Sequence, residues 1–186
     1  MDPPGTLGPA LDQVSETWRD PLVLPDPEGD GWHLLLTARA VGAARHDDGV
    51  VAHARSLDLA TWTVGPPRSS PRAGFGQLEV LQSKVIGGRA VLVFTCEPTE
   101  QRLAGTGRFC TWSVPAPGAV GPWDISRARP FTAEPDLSAA PLVQRRDGTW
   151  ALIGFLNTAP RGRDGFAIVD PIPVTLDDEG FLVVAG

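Results

Sequence analysis

The chain has almost no lysine: Lys84 is the single one among 16 basic residues. The net charge is −6 and no basic cluster stands out, which excludes nucleic acid and an anionic membrane surface as expected partners. No apolar run approaches the roughly 20 residues that a membrane-spanning helix needs. The opening stretch Met1–Leu11 has no basic region followed by a hydrophobic core, so no signal peptide is expected and a cytoplasmic location is. Cysteine is scarce too. Cys96 and Cys110 are the two in the chain, and neither sits in a Cys-x-x-Cys or Cys/His cluster, so no zinc site is expected. They read as reduced, small core residues that can lie on neighbouring strands of one hairpin. His33, His46 and His53 show no metal-ligand spacing, and no phosphate-loop, dinucleotide or nucleophile-elbow motif occurs, so no metal or cofactor is expected.

What is present points to one β-rich domain. At 186 residues, with 42% hydrophobic and 20% charged, the chain can bury a core. Its 21 glycines and 19 prolines cut the apolar runs short, which favours an all-β fold. Residues 1–17 read as an irregular lead-in with a helical turn near Asp12–Thr17. Short strands follow at Leu22–Leu24, Trp32–Ala40, Val50–Arg55 and Trp62–Val64, joined by turns rich in Asp and Gly. The pattern then recurs. Gly31, Gly88 and Gly148 each precede an apolar run and fall 57 and 60 residues apart. Four short antiparallel strands at this period predict a partial β-propeller of about three blades, near 18–66, 74–126 and 138–184, within one unit 18–186. A β-sandwich is the alternative. Three blades do not close a ring, and the open strand edges make self-association an expectation.

Two carboxylates draw the eye within this pattern. Asp20 lies in Trp18-Arg19-Asp20-Pro21, where Pro21 cannot donate a ladder hydrogen bond and so marks a strand entrance or edge. Glu79 lies at the start of an apolar strand, Gly74-Phe75-Gly76-Gln77-Leu78-Glu79-Val80-Leu81-Gln82. A carboxylate there is costly unless it faces a pocket or is hydrogen-bonded, and such a site raises its pKa toward that of a general acid. Simple alternation with Leu78 and Val80 on a solvent face is the alternative for Glu79, as a surface ion pair is for Arg19 and Asp20.

The order of these motifs resembles glycoside hydrolase family 32, the invertases and fructan hydrolases, which are five-bladed β-propellers. Its Arg-Asp-Pro motif matches Arg19-Asp20-Pro21, and its Glu-Cys-Pro motif matches at Glu79 alone. Ser56-Leu57-Asp58-Leu59-Ala60-Thr61-Trp62 is similar to a recurring blade signature, and Gly121-Pro122-Trp123 to a blade-end element. The resemblance covers residues 18 to 170. It implies that Asp20 steadies the transition state, that Glu79 is the general acid/base and that Arg19 holds sugar hydroxyls. Trp18 and Gln77 flank these residues and are candidates for lining a small-carbohydrate pocket, with packing as the alternative for both. The resemblance also implies a carboxylate nucleophile in an earlier blade. Asp2, in Met1-Asp2-Pro3-Pro4-Gly5, superficially matches that motif, but a frayed terminus does not hold a group to the tolerance catalysis needs. The expectation is a C-terminal three-fifths of such a propeller without its nucleophile.

Overall fold

The computed structural model describes residues 14–44, 46–102, 109–133, 136–157 and 167–186. Among these residues, fifteen strands form four antiparallel sheets. The first sheet holds β1 (Val14–Pro25), β2 (Trp32–Ala40), β3 (Gly49–Ser56) and β4 (Thr63–Gly65), paired in chain order. The second repeats this meander with β5 (Glu79–Ile86), β6 (Arg89–Cys96), β7 (Cys110–Ala116) and β8 (Arg129–Pro130). The third unit is split. Its β9 (Leu137–Ser138), β12 (Phe155–Leu156) and β13 (Ala167–Ile168) form a three-stranded sheet, and β10 (Leu142–Gln144), β11 (Trp150–Leu152), β14 (Ile172–Leu176) and β15 (Leu182–Val184) a four-stranded one. Only a few residues separate β9 from β10, β11 from β12 and β13 from β14, so the two sheets are the two ends of one interrupted unit. This is a partial propeller, not a sandwich.

The expected helical turn near Asp12–Thr17 is overturned where the structure describes it: Val14 onward is strand, and Val14 and Ser15 pair with Ala40 and Arg39. The reason is the partner strand, since β2 runs long enough to template pairing before Trp18. Asp2 and the rest of residues 1–13 lie outside the described residues.

Hydrophobic runs in β2 and β6 follow from burial on both faces. In β2, Leu35 enters a core with Phe75, Leu78, Leu92, Phe94 and Trp112, while Leu36 and Ala38 enter a separate one with Val50 and Ala52. In β6, Leu92, Phe94 and Cys96 face the first sheet, whereas Val91 and Val93 face Leu137, Leu152 and Val174 of the third unit. The second sheet is therefore the middle layer, covered on both sides. Phe75 meets Phe94 and Trp112 edge-on, with centroids 5.2 and 4.9 Å apart. Cys96 and Cys110 pair across β6 and β7, both buried and both free thiols. Burial pushes the Cys96 thiol well up and that of Cys110 to about 11.

One irregularity repeats in all three units. Arg19 pairs with Thr37 and Leu22 with Leu35, so β1 carries one more residue than β2 between those pairs. Glu79–Gln82 against Thr95–Val93 shows the same excess, as does Ser138–Leu142 against Phe155–Leu152. The extra residue is left-handed each time: Asp20 at φ 53°, Val80 at 51° and Ala139 at 45°. These are β-bulges that re-aim the strand. Asp accepts that conformation readily, whereas a β-branched Val does so only when its surroundings hold it. The hold comes from the preceding sheet. Val80 N–H donates to Asp20 Oδ2 at 3.1 Å, and Ala139 N–H to Thr95 Oγ1 at 3.1 Å. Two residues earlier, the carbonyls of Leu78 and Leu137 accept from Thr37 and Thr111 hydroxyls at 2.5 and 2.9 Å.

Two of the three histidines form a pair. His33 and His53 stack with centroids 5.1 Å apart, and His33 Nδ1 lies 2.8 Å from His53 Nε2. Arg68, which can only donate, lies 3.5 Å from the same His53 nitrogen, so that nitrogen accepts and His33 donates. His33 Nε2 stands 3.4 Å from Asp26, which Arg55 also pairs. Burial, then the positive charge of Arg68, lowers His53 from 6.5 to about 4. Between those values the unfolded chain binds a proton that the folded chain refuses, so stability declines as pH falls from about 6.5 to 4. Denaturation midpoints measured across that window should fall, and the fall should shrink in His53→Asn.

Candidate active site

The bulges of β1 and β5 bring the two sequence-predicted carboxylates together. Arg19 is the bridge. Its Nη2 donates to Glu79 Oε1, and its Nε lies 3.5 Å from Asp20 Oδ2. The side chains of Arg19, Asp20 and Glu79 are 33, 29 and 24% exposed, so the cluster sits at a mouth, reachable from solvent yet partly desolvated. Asp20 Oδ2 also accepts from Val80 N–H and lies 3.3 Å from the Thr37 hydroxyl. One carboxylate is thus fixed by three groups on three strands. Glu79 is held by Arg19, and burial raises its carboxyl above the usual range. Arg19 opposes that rise, while the charges of Glu97 and Asp20 add to it. The two acids therefore differ in environment: Asp20 is met by three groups, whereas Glu79 is met by Arg19 and raised by burial.

The flanking residues divide. Trp18 is half-buried and packs on the Leu36, Ala38, Val50 and Ala52 cluster. Gln77 lies in the segment entering β5, with a buried Oε1 that no donor among the described residues meets. An unmet acceptor two residues from Glu79 is a feature that a ligand hydroxyl would satisfy.

The segment 74–77 is itself clamped. Gly49 N–H donates to Phe75 O at 2.9 Å, Gly76 N–H to Glu100 O at 2.8 Å, and Gly74 N–H to Asp47 Oδ1 at 2.7 Å. Gly76 is required by close approach, because a Cβ there would stand 2.0 Å from Glu100 Oε2 and 2.9 Å from the His46 Cα. Behind it, Arg39 reaches Asp48 at 2.9 Å and Glu100 at 3.0 Å, all three nearly buried. Sequence reasoning missed this network, and it missed Thr37, Val80 and Glu97. For Glu97 a signal existed: counting outward from the Gly87-Gly88 turn places Glu79 within one residue of Thr95. For Glu100 in the Arg39 network none did, since it follows β6 of the next sheet, whereas Asp48 lies just across the β2–β3 turn from Arg39.

One carboxylate outside the site is spent on structure. Asp58, beside a cleft of about 600 Å³ lined by Arg55, Leu57 and Thr61, accepts from the amides of Ala60 and Thr61 at 2.9 and 2.7 Å. Those bonds hold it down to about 2, so the Ser56–Trp62 signature is a turn-former here. Among the described residues, no group of three or more metal-ligating side chains occurs.

An arginine-bridged carboxylate pair thus stands at the adjoining first strands of two propeller sheets. No family model and no curated protein matches the chain. Solved structures do. The sucrose-6-phosphate hydrolase of Lactobacillus gasseri is similar at TM-score 0.65 and 16% identity, over 91% of this chain and 36% of that one. A Bombyx mori glycoside hydrolase family 32 beta-fructofuranosidase, solved as a mutant with sucrose, is similar at TM-score 0.65 and 16% identity, over 88% and 36%. The inulosucrase of Halalkalicoccus jeotgali, bound to kestose, is similar at TM-score 0.66 and 17% identity, over 97% and 54%. The fold is that of a family 32-like partial propeller, and the chain spans between 36 and 54% of the length of these structures.

Proposed function

We propose that this chain is part of a glycoside hydrolase acting on fructosides or related small sugars, with Glu79 as general acid/base and Asp20 as the carboxylate that steadies the transition state. The observation that supports it is the Arg19 bridge between the two acids, with Glu79 raised by burial. In this reading protonated Glu79 delivers its proton to the leaving oxygen and then, ionised, takes one from water. Asp20, held in place by Arg19 and the Val80 amide, accepts from ring hydroxyls. Arg19 orients both acids with its forked donors. Gln77 Oε1 is an open acceptor for a further hydroxyl. The nucleophile that a retaining reaction needs is assigned to no described residue.

Sucrose and kestose, present in two of the similar structures, are the first substrates to try. The expected result with the full chain is calorimetric binding of one of them, with release of free fructose. Binding without release favours a carbohydrate-binding role, and no binding of either sugar or of short fructans removes the proposal.

A further inference from the structure

Glu97 follows the last residue of β6, and its φ of −74° and ψ of 156° keep the chain extended through it. Glu79 pairs with Thr95. Residues two apart on a strand share a face, so Glu97 projects on the same side as Glu79, at a cross-strand diagonal of about 7–8 Å. Its carboxylate has no structural task there. It precedes the short 3-10 turn Pro98–Glu100, yet its side chain caps none of that turn's amides. Among the described residues it makes no ion pair either.

The other charged or titratable groups around Glu79 are accounted for. Arg19 and Asp20 face it from β1 and offset each other in part. Cys96, beside Glu97 on β6, is a thiol that burial keeps neutral. Glu100, at the end of the 3-10 turn, is answered by Arg39 at 3.0 Å. Among the described residues, that leaves one negative charge without a counter-ion on the face of the proposed acid.

We infer that Glu97 is a positioning residue acting through Glu79, its fixed charge favouring the protonated, proton-donating form of that acid. The inference rests on the proposed role of Glu79. Among the influences on Glu79, burial raises its carboxyl most, Arg19 lowers it, and Glu97 raises it ahead of Asp20. Removing the Glu97 charge takes away one of the influences that oppose Arg19, and Glu79 then ionises at lower pH. A residue that merely braced the strand end would leave that titration where it is.

The test is a carboxyl titration of the full chain by NMR with carbon-13-labelled glutamate, the Glu79 signal being identified by its loss in Glu79→Gln. In Glu97→Gln the Glu79 midpoint is expected to fall by about 0.5 to 1.5 pH units. Glu97→Asp, which keeps the charge, should restore most of the difference. A midpoint unmoved in Glu97→Gln overturns the inference. Tryptophan fluorescence checks folding, and should the glutamine variant fail it, Glu97→Ala supplies the same loss of charge. Where fructoside hydrolysis is measurable, the alkaline limb of the kcat/KM profile should move down by the same amount. A titration shift without any hydrolysis upholds this inference while the proposed function falls. Hydrolysis without a shift does the reverse.

Discussion

Replacing Glu79 with glutamine is expected to lower fructoside turnover by about 10²- to 10⁴-fold, the usual contribution of a placed general acid. The variant keeps the size of the side chain and an oxygen for Arg19 to meet, so the sheet has little reason to change. What it loses is the proton. The loss should be largest for substrates with poor leaving groups, such as sucrose, because their departing oxygen needs protonation most. An activated aryl fructoside, whose leaving group departs as a stable anion, should lose much less. The pH profile gives a second reading. Since burial raises Glu79, the alkaline limb of the parent lies above the ordinary carboxylate range, and that limb should vanish in the glutamine variant. An unchanged rate on sucrose would remove Glu79 from the mechanism.

The second large effect concerns stability. Arg39→Met is expected to cost about 3–5 kcal/mol, the range for breaking a buried ion pair from one side. Methionine fills much of the same space, so packing loss is small. The cost arises because Asp48 and Glu100, 13 and 3% exposed, are left in the interior without their shared cation. The neighbouring Asp47–Arg102 pair should cost less to break, since Arg102 is 65% exposed and Asp47, though buried, still accepts from Gly74 N–H at 2.7 Å. Urea denaturation of both variants checks the contrast, and equal midpoints would mean that the Arg39 cluster is solvated after all. Because Glu100 also anchors Gly76, three residues before Glu79, Arg39→Met should blunt activity beyond its effect on the folded fraction.

The repeat was legible because its signals are local. Gly31, Gly88 and Gly148 sit at tight turns with positive φ, and the apolar runs after them are the central strands. β2 was read at its observed bounds for that reason. The split of the third unit was not legible. Ala139, Pro141 and Gly154 interrupt strands through their backbone, and Gly154 lies where a Cβ would meet Ala140 and Leu137 at 2.8 and 2.9 Å, a contact no periodicity reveals. At the site, Arg19, Asp20 and Glu79 were singled out by their motif context, and the structure brings them together. Their supports were hidden. Thr37 reads as an ordinary strand threonine, and nothing in Leu78-Glu79-Val80 announces that a valine turns left-handed there. Such facts arise only when sheets meet.

The joints between sheets carry one more implication. The first is latched by a carboxylate, Asp20, and the second by a hydroxyl, Thr95, each gripping an equivalent amide. Closure of a joint therefore sets no demand for charge. A negative group at the first latch is surplus to assembly, which leaves that position open to selection for what it does to a bound molecule rather than for what it does to the fold.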